Sequence, residues 1–475
     1  MLSLTLSKAE ALRCAEQILP NGEGARVAGK QAWYAGTNDG LFLLERGPDG
    51  QASTHLLGLQ HAGGFRAPVV VDSTDSKRLY AGTTRGGLFR SDNSGETWRE
   101  INQADATFYQ MGNDPRYHHA IWHLSQRHPG IIILHDLMMQ HFFSGLVFHD
   151  RGMNRREYLE LVERHHGIKG RVLAERHVQG LIATEELAQR CPLTEAATEN
   201  ALAVIGHSAA AYSALPEDAS VVHLPLCVGM ELPTLAPRQA TEPYRLTVFG
   251  FLGPNRKLPL LLRALATFPE RDRFRLDILG TMEGQEKMHE LIGRLGLSET
   301  VTLHGFVSAT DLDAALRQTD LVVNLRDPSV GEASGSQLHL WQYALASLVT
   351  HRAWYATLPE DTVAFVRPEH EVEDIQRHLS AFLANPETYR ELGRKGRRHV
   401  AEHHSIENYA SGLLTVAARA PEFQAKWIAR DLARRTASAM SRWADAAMID
   451  SLTPQIARQI EMLTAGTSTE LAGTS

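Results

Sequence analysis

Cysteines, long apolar runs and basic blocks are scarce in this 475-residue sequence. Its three cysteines, Cys14, Cys191 and Cys227, are far apart and form no C-x-x-C pair, which argues against a disulfide framework or a zinc knuckle and favours a reducing cytoplasm. No apolar run reaches the roughly 18 residues of a membrane span, and no basic region followed by an apolar core indicates a secretory signal. The formal net charge is −7 without a long basic block, so nucleic-acid binding is not expected. We expect a cytoplasmic protein.

The first part of the chain, residues 1–104, contains a repeated pattern. Residues 34–42 read Tyr-Ala-Gly-Thr-Asn-Asp-Gly-Leu-Phe, and residues 80–89 read Tyr-Ala-Gly-Thr-Thr-Arg-Gly-Gly-Leu-Phe. Each copy predicts a β-hairpin. In the turn at residues 91–98, Asp and Ser side chains are expected to bond the backbone above a packed tryptophan. These features resemble Asp-box blades of sialidase-like β-propellers. About two blades are present, and a closed propeller needs roughly four to eight, so we expect a structural β-appendage.

The rest of the chain alternates short apolar strands with helical segments. Residues 131–134 are all apolar, as in a parallel sheet covered on both faces. After a proline-containing stretch the alternation predicts a doubly wound parallel sheet, with strands at 245–250, 274–280, 301–305 and 320–325. The predicted fold is therefore α/β, with a pair of Rossmann-type domains of which the first is truncated. The predicted segments are 1–104, the β-repeats; 105–235, a partial first domain; 244–414, the second domain; and 415–475, C-terminal helices with a flexible tail.

A small-residue loop at residues 331–336, Gly-Glu-Ala-Ser-Gly-Ser, lies between a predicted strand and a predicted helix. The free N–H groups of a helix start attract anions, and small side chains let a diphosphate approach the backbone. We predict phosphate contacts from Ser334, Gly335 and Ser336. We expect Glu332 to hold sugar hydroxyls or to stabilise positive charge at an anomeric carbon, the alternative being an acid that complements the helix dipole.

A second loop, residues 249–257, reads Phe-Gly-Phe-Leu-Gly-Pro-Asn-Arg-Lys. We expect Gly253, Arg256 and Lys257 to bind a donor diphosphate, because two cations after a turn and before a helix suit a leaving group that develops negative charge. The alternative for both cations is a solvated helix start.

From residue 106 to about 414 the sequence resembles retaining glycosyltransferases of the GT-B type, in particular their family-4-like branch, the glycosyl transferases group 1. The resemblance rests on four stretches in the expected order: residues 109–118 with Gly-Asn-Asp-Pro, the strand at 129–137 that ends in His-Asp, and the loops at 249–257 and 323–336. It implies transfer of a hexosyl-type sugar from a nucleoside-diphosphate-sugar with retention, without a cofactor or a divalent metal. Polysaccharide or glycoconjugate synthesis is the expected setting.

The resemblance also implies roles for individual residues. His135 and Glu332 are the expected catalytic groups, with a core histidine as the alternative for His135. Gly305 and Phe306 are expected to lie against the nucleobase, the alternative for Phe306 being burial against the sheet. The expected acceptor and sugar pocket contains Asn113, His118, Asp136 and Arg326. The histidines offer no ligand set with an acidic partner, so no metal site is predicted.

Two departures from the family pattern keep a second hypothesis open. Many members carry a second Glu eight residues after the first, where it takes the ribose hydroxyls; Leu340 stands there in this chain. The β-repeats also occupy the place of the usual opening of the acceptor domain. The alternative function is therefore a non-catalytic nucleotide-sugar or glycan-binding protein with a degenerate acceptor domain. A third alternative is a poorly folding fusion. The expected acceptor is a sugar, lipid-linked or other hydroxyl compound, and peripheral membrane association is left open.

Overall fold

The computed structural model divides the chain into two compact units, residues 1–109 with 116–131 and residues 110–115 with 132–475. It describes residues 26–27, 30–37, 40–46, 52–60, 69–71, 75, 77–82, 88–100, 106–149, 152–229, 232–236, 241–440, 448 and 451–459. Two turns of the repeated pattern, residues 38–39 and 83–87, and the predicted C-terminal tail lie outside the described residues. The predicted domain boundaries stay predictions.

The first unit contains two four-stranded antiparallel sheets, each in sequence order. The strands of the first sheet are β1 (Arg26–Val27), β2 (Lys30–Thr37), β3 (Gly40–Arg46) and β4 (Ala52–Gly58). Those of the second are β5 (Val70–Val71), β6 (Leu79–Gly82), β7 (Leu88–Ser91) and β8 (Arg99–Glu100). The antiparallel pairs β2–β3 and β6–β7 confirm that both copies of the repeated pattern form hairpins.

The turn at residues 91–98 is closed by its own side chains. Ser91 Oγ accepts the Gly95 N–H at 2.8 Å, and Asn93 Oδ1 accepts the Thr97 N–H at 2.9 Å. Trp98 Nε1 donates to the Leu57 carbonyl at 2.8 Å. The expected aspartate role falls to Asn93, because the Asp92 carboxylate binds arginine side chains instead. Membership of the Asp-box class stays a prediction.

The first sheet of the second unit has the strand order β12-β11-β10-β9. Its strands are β9 (Phe108–Met111), which crosses the boundary between the units, β10 (Ile131–Leu134), β11 (Ala203–Gly206) and β12 (Val221–His223). Strands β10 and β11 are buried throughout. The helices of this part of the chain are α1 (Pro115–Ser125), α2 (Gln140–Phe148), α3 (Arg155–Val178), α4 (Thr184–Arg190), α5 (Thr194–Thr198) and α6 (Ala211–Ala214).

The second sheet is six-stranded and parallel, in the order β15-β14-β13-β16-β17-β18. Its strands are β13 (Tyr244–Phe249), β14 (Phe274–Leu279), β15 (Val301–Gly305), β16 (Leu321–Asn324), β17 (Ser347–Thr350) and β18 (Ala364–Val366). The helices are α7 (Leu258–Ala266), α8 (Gln285–Arg294), α9 (Ala309–Gln318), α10 (Gly335–Gln342), α11 (Glu371–Ala384), α12 (Pro386–His403), α13 (Ile406–Ala418) and α14 (Ala420–Met440). The predicted α/β class and the doubly wound sheet are confirmed.

Both faces of this sheet are covered, as parallel strands require. One face packs Leu246, Val248 and Leu276 into a core with helices α7 and α11. The other face packs Phe249 and Leu279 with Leu340 of helix α10. Within the described residues, the helices are all too short or too polar to cross a lipid bilayer.

A close backbone approach fixes the loop that follows β13. Gly280 has φ +149°, and a β-carbon on it would lie 1.9 Å from the Gly250 carbonyl oxygen. We expect Gly280→Ala to lower the free energy of unfolding by about 2 kcal/mol or more. Gly293→Ala is the control, because nothing lies within 4 Å of a β-carbon there and the site is helical; it should raise stability by about 0.5–1 kcal/mol. Urea unfolding of the two variants measures both effects, and equal stabilities would contradict the close approach.

Candidate functional site

The strand order of the second sheet selects one point for a ligand. In an open α/β sheet, ligands bind outside the carboxyl ends of the strands where the strand order reverses. Here that point lies between β13 and β16, which are neighbours in the sheet although β13 ends at Phe249 and β16 begins only at Leu321. The two loops leaving these strands are those that the sequence analysis selected.

Arg256 lies in the first loop, at the end of a short 3₁₀ turn, and is 5% exposed. Its Nη1 donates to Asn324 Oδ1 at 2.6 Å, which ties the β13 loop to the end of β16. A β-carbon on Gly250 would lie 3.3 Å from Arg256 Nη2 and 4.0 Å from Ser336 Oγ. The guanidinium therefore lies between the two loops, and the alternative of a solvated surface base is wrong for Arg256.

Burial, together with the positive charge of Arg326, lowers the pKa of Arg256 to about 10, while Tyr355 and Glu332 act in the opposite direction. A buried cation whose charge is disfavoured in this way is stabilised by an incoming anion. Arg256 is thus suited to bind a phosphate group.

Arg326 follows β16 and forms an ion pair with Glu332, with 2.5 Å between Nη1 and Oε1. The other oxygen of Glu332 accepts from Ser329 Oγ and from the Val330 N–H, each at 2.9 Å. Glu332 therefore shapes the loop and holds Arg326. The pKa of Arg326 is raised: burial opposes its charge, but Tyr355, Glu332 and Asp136 outweigh that effect.

Helix α10 begins beside this ion pair. Ser334 is its N-cap and accepts the Gln337 N–H at 3.1 Å, so its buried hydroxyl serves the helix. Gly335 is exposed, and nothing lies within 4 Å of a β-carbon there. The first amides of a helix have no partner within it, so the N–H groups of Gly335 and Ser336 are suited to an anion.

Lys257 does not join Arg256, although the two are adjacent in sequence. Its backbone is left-handed, with φ +53°. Its Nζ lies 3.0 Å from Asp327 and 3.9 Å from Glu371. The structure therefore brings together Arg256 and Arg326, while Lys257 is neutralised by carboxylates. Gly253 is the N-cap of the 3₁₀ turn.

Within the second unit, the loop that follows β10 contacts the loop that follows β16 through backbone hydrogen bonds. The N–H groups of Leu137 and Met138 both donate to the Val330 carbonyl at 2.9 Å. Asp136 accepts the Asn113 N–H at 2.8 Å. Burial and the negative charge of Glu332 raise the pKa of Asp136 to about 6, while the Asn113 N–H and Arg326 act in the opposite direction. Asp136 thus places a carboxyl group with a raised pKa next to the Arg326–Glu332 pair.

Four predicted residues remain. His135 follows β10, is partly exposed and contacts the Gln110 amide oxygen through Nε2. Phe306 is 81% exposed, so the alternative of burial against the sheet is wrong, and its ring is accessible for stacking. Gly305 has φ +69° and turns the chain at the end of β15. His118 lies on helix α1, in the first of the two units.

Sequence reasoning missed two polar residues of the site, Tyr355 and Gln337. Tyr355 Oη and Gln337 Nε2, like Nε of the predicted Arg326, are buried without a hydrogen-bond partner. Each such group costs about 1–3 kcal/mol and calls for an explanation, of which a bound ligand is one. Asn324, a polar residue that ends an apolar strand, was the available signal for this cluster. Among the described residues, no group of three or more His, Cys, Asp or Glu side chains could hold a metal ion.

Residues 236–399 match the family model described as "Glycosyl transferases group 1", which covers about a third of the chain; Arg256, Arg326 and Glu332 lie within the matched residues. This segment is therefore similar to the glycosyl transferases group 1 family. No curated protein sequence matches the chain significantly.

Several solved structures are similar to the chain at low sequence identity. A sucrose-phosphate synthase from Thermosynechococcus elongatus is 18% identical, with 63% of this chain and 70% of that chain covered and a TM-score of 0.45. Anabaena HepE in complex with UDP-glucose is 13% identical, with 67% and 80% covered and a TM-score of 0.46. A glycosyltransferase from Rickettsia africae is 15% identical, with 66% and 98% covered and a TM-score of 0.42.

The raised pKa of Asp136 predicts a pH-dependent stability. Its folded-state value of about 6 exceeds the ordinary 3.8. The folded protein therefore binds more protons than the unfolded chain between these values, and stability falls as the pH rises from about 4 to about 6. Asp136→Asn removes this effect. The unfolding free energy of the variant relative to that of wild type should therefore rise by about 1–2 kcal/mol from pH 4 to pH 7.

Asp313→Asn is the matched control, because hydrogen bonds from Arg317 and Tyr343 lower the pKa of Asp313. That variant should instead lose stability relative to wild type as the pH rises. Denaturant unfolding at both pH values measures the two trends. A pH-independent difference between Asp136→Asn and wild type would contradict the assigned pKa.

Proposed function

We propose that the protein transfers a hexosyl-type sugar from a nucleoside-diphosphate-sugar to an acceptor hydroxyl, with retention at the anomeric carbon. The observation that carries this proposal is the pair of buried Arg256 and partly buried Arg326 beside the start of helix α10, at the point where the sheet order reverses. The glycosyl transferases group 1 match over residues 236–399 supports it. Polysaccharide or glycoconjugate synthesis in the cytoplasm is the proposed setting, by family analogy.

The leaving diphosphate is the group that this arrangement serves best. Negative charge on its oxygens grows as the sugar departs, and cations in a water-poor site stabilise that charge more than water does. Arg256 and Arg326 supply two guanidinium groups, and Gly335 and Ser336 supply backbone N–H groups. With this much positive charge, departure requires no divalent metal.

Retention follows from the face of attack. Among the described site residues, no carboxylate is an obvious nucleophile for a double displacement, so the acceptor hydroxyl attacks from the side that the diphosphate leaves, and a diphosphate oxygen takes its proton. His135 and Asp136 follow strand β10 and bind the transferred sugar or the acceptor in this proposal. Glu332 holds sugar hydroxyls or stabilises positive charge at the anomeric carbon while it keeps Arg326 in place. Phe306 stacks on the nucleobase.

A second candidate function is nucleotide-sugar or glycan binding without turnover. Its motivation is Leu340, which is fully buried against Phe249 and Leu279 and offers no group to a ribose. The two candidates differ in one observable, because both predict binding and only the first predicts a released nucleoside diphosphate.

Turnover of a panel of UDP-, GDP- and ADP-sugars by wild type and Glu332→Ala tests the first candidate. We expect wild type to release the diphosphate from one of these donors and Glu332→Ala to be slower by about 100-fold or more, since it loses both the hydroxyl contact and the orientation of Arg326. Equal rates in the two proteins would remove Glu332 from the site. Calorimetric binding of a donor without any release would favour the second candidate.

The affinity for a nucleoside diphosphate distinguishes the roles of Arg256, Arg326 and Lys257. We expect Arg256→Met and Arg326→Met each to weaken binding by about 10- to 100-fold, because each removes a charge-assisted hydrogen bond in a buried site. Lys257→Met is the matched control and should change the affinity by less than about threefold, since Asp327 and Glu371 already neutralise this cation.

The free nucleoside should bind all four proteins alike, because it carries no phosphate. Isothermal titration calorimetry gives each dissociation constant. A Lys257→Met variant that loses more affinity than Arg256→Met would contradict this division of roles.

A further inference from the structure

Two neutral oxygen atoms hold the guanidinium group of Arg256. Nη1 donates to the side-chain oxygen of Asn324 at 2.6 Å, and Nε donates to the backbone carbonyl of Phe251 at 3.3 Å. Among the described residues, the third nitrogen, Nη2, has no hydrogen-bond partner, and a β-carbon on Gly250 would lie 3.3 Å from it. Two nitrogens therefore fix the direction of the group, and the third is available to a ligand.

The other two cations of the site are held differently. Arg326 forms an ion pair with Glu332, and Lys257 forms one with Asp327. A carboxylate orients a cation but also neutralises its charge, whereas an amide oxygen orients it and leaves the charge in place. The positive charge of Arg256 is therefore the one that an anionic ligand would meet with the least competition.

The side-chain amide of Asn324 has a fixed direction. A guanidinium group only donates hydrogen bonds, so Asn324 presents its oxygen to Arg256 and its Nδ2 to the opposite side. There Nδ2 donates to Gln337 Oε1 at 3.0 Å, and Ser347 Oγ donates to the same oxygen at 3.0 Å. Asn324, Gln337 and Ser347 are at most 3% exposed. The direction of the Gln337 amide is thus set by the direction of Asn324.

This arrangement leaves Nε2 of Gln337 buried without a hydrogen-bond partner. An unsatisfied buried donor is costly and unusual, so it calls for a physical explanation. Turning the amide of Gln337 over would place its Nε2 against Nδ2 of Asn324, where two donors would face each other. The unpaired nitrogen is therefore a consequence of the direction in which Asn324 faces Arg256.

Gln337 also belongs to the start of helix α10. It is the third residue of the helix, and its backbone N–H donates to Oγ of the N-cap Ser334 at 3.1 Å. The two residues before it, Gly335 and Ser336, carry the backbone N–H groups that suit an anion. One residue therefore connects the helix start with Asn324 and, through Asn324, with the cation of the loop that follows β13.

We propose that Asn324 and Gln337 are positioning residues for Arg256: their amides hold its guanidinium group in one direction beside the start of helix α10 and leave its charge for an anionic ligand. The choice of a nucleoside diphosphate as that ligand rests on the proposed function. The restraint on Arg256 does not rest on it, because the hydrogen bonds are present without a ligand.

Three substitutions separate positioning from a merely structural role. Gln337→Met keeps the length of the side chain and removes the acceptor that orients Asn324. Asn324→Asp keeps an oxygen against Arg256 and adds a negative charge. The matched control is Thr247→Val in β13, which removes a buried hydrogen bond of 2.7 Å to Thr319 that is not connected with Arg256.

The restraint is measured in ligand-free protein labelled with ¹⁵N at arginine, as the rate at which the Arg256 guanidinium group rotates about its Cζ–Nε bond. The NMR signal is assigned by its loss in Arg256→Met. We expect this rotation to be about fivefold faster or more in Gln337→Met, because a buried hydrogen bond that orients its acceptor is lost. Thr247→Val should rotate at the wild-type rate.

Equal rotation rates in Gln337→Met and wild type overturn the proposal. Should Gln337→Met fail to fold, Asn324→Ala takes its place, since it removes the acceptor of Arg256 itself. Rotation at the wild-type rate in that variant overturns the proposal in the same way.

The charge is tested by calorimetric titration with UDP, GDP and ADP. For a nucleoside diphosphate that binds wild type, we expect about tenfold weaker binding or more in Asn324→Asp, because the new carboxylate neutralises Arg256. Gln337→Met should bind about three- to tenfold more weakly, and Thr247→Val should bind like wild type. The free nucleoside should bind all of these proteins alike.

A folded Asn324→Asp variant that binds the nucleoside diphosphate as tightly as wild type overturns the role of the neutral amide. The rotation measurement needs no ligand. Faster rotation in Gln337→Met, together with a wild type that binds none of the three diphosphates, therefore supports the positioning of Arg256 while rejecting the proposed function.

Discussion

The proximity of two like charges, the guanidinium groups of buried Arg256 and partly buried Arg326, is the constraint on which the site depends. Like charges in a medium of low dielectric repel strongly, and each loses its hydration. Asn324 and Glu332 compensate part of this cost through bonds of 2.6 Å and 2.5 Å. Arg326 Nε and Tyr355 Oη remain buried and unpaired. In the proposed function, a bound diphosphate would offset this repulsion, and that gain would contribute to its affinity.

The counter-ion of this pair also orders the contact between the two sheets of the second unit. Glu332 closes the loop that presents the Val330 carbonyl, and that carbonyl accepts the N–H groups of Leu137 and Met138. Gly331 permits the contact, because a β-carbon there would lie 2.6 Å from that of Leu137. One short loop therefore links the Arg326–Glu332 ion pair to strand β10, which His135 and Asp136 follow.

The sequence alone was sufficient to predict the six-stranded sheet of the second unit and part of the candidate site. Apolar strands bounded by glycine loops predicted strands at 245–250 and 274–280, and the structure has Tyr244–Phe249 and Phe274–Leu279. Arg256 was found because a cation beside a glycine turn and a helix start is a local pattern. The direction of Lys257 was not predictable, because Asp327 and Glu371 approach it from distant parts of the chain. Tyr355 and Gln337 were not identified from the sequence for the same reason, since their neighbours come together only in the folded protein.

A crystal structure with a nucleoside diphosphate tests the central claim most directly. The account predicts that phosphate oxygens lie within hydrogen-bond distance of Arg256 and Arg326 and of the amides of Gly335 or Ser336, with the previously unpaired Tyr355 hydroxyl or Arg326 Nε newly bonded. A diphosphate bound elsewhere, or one held by Lys257 with both arginines unmoved and uninvolved, would contradict it.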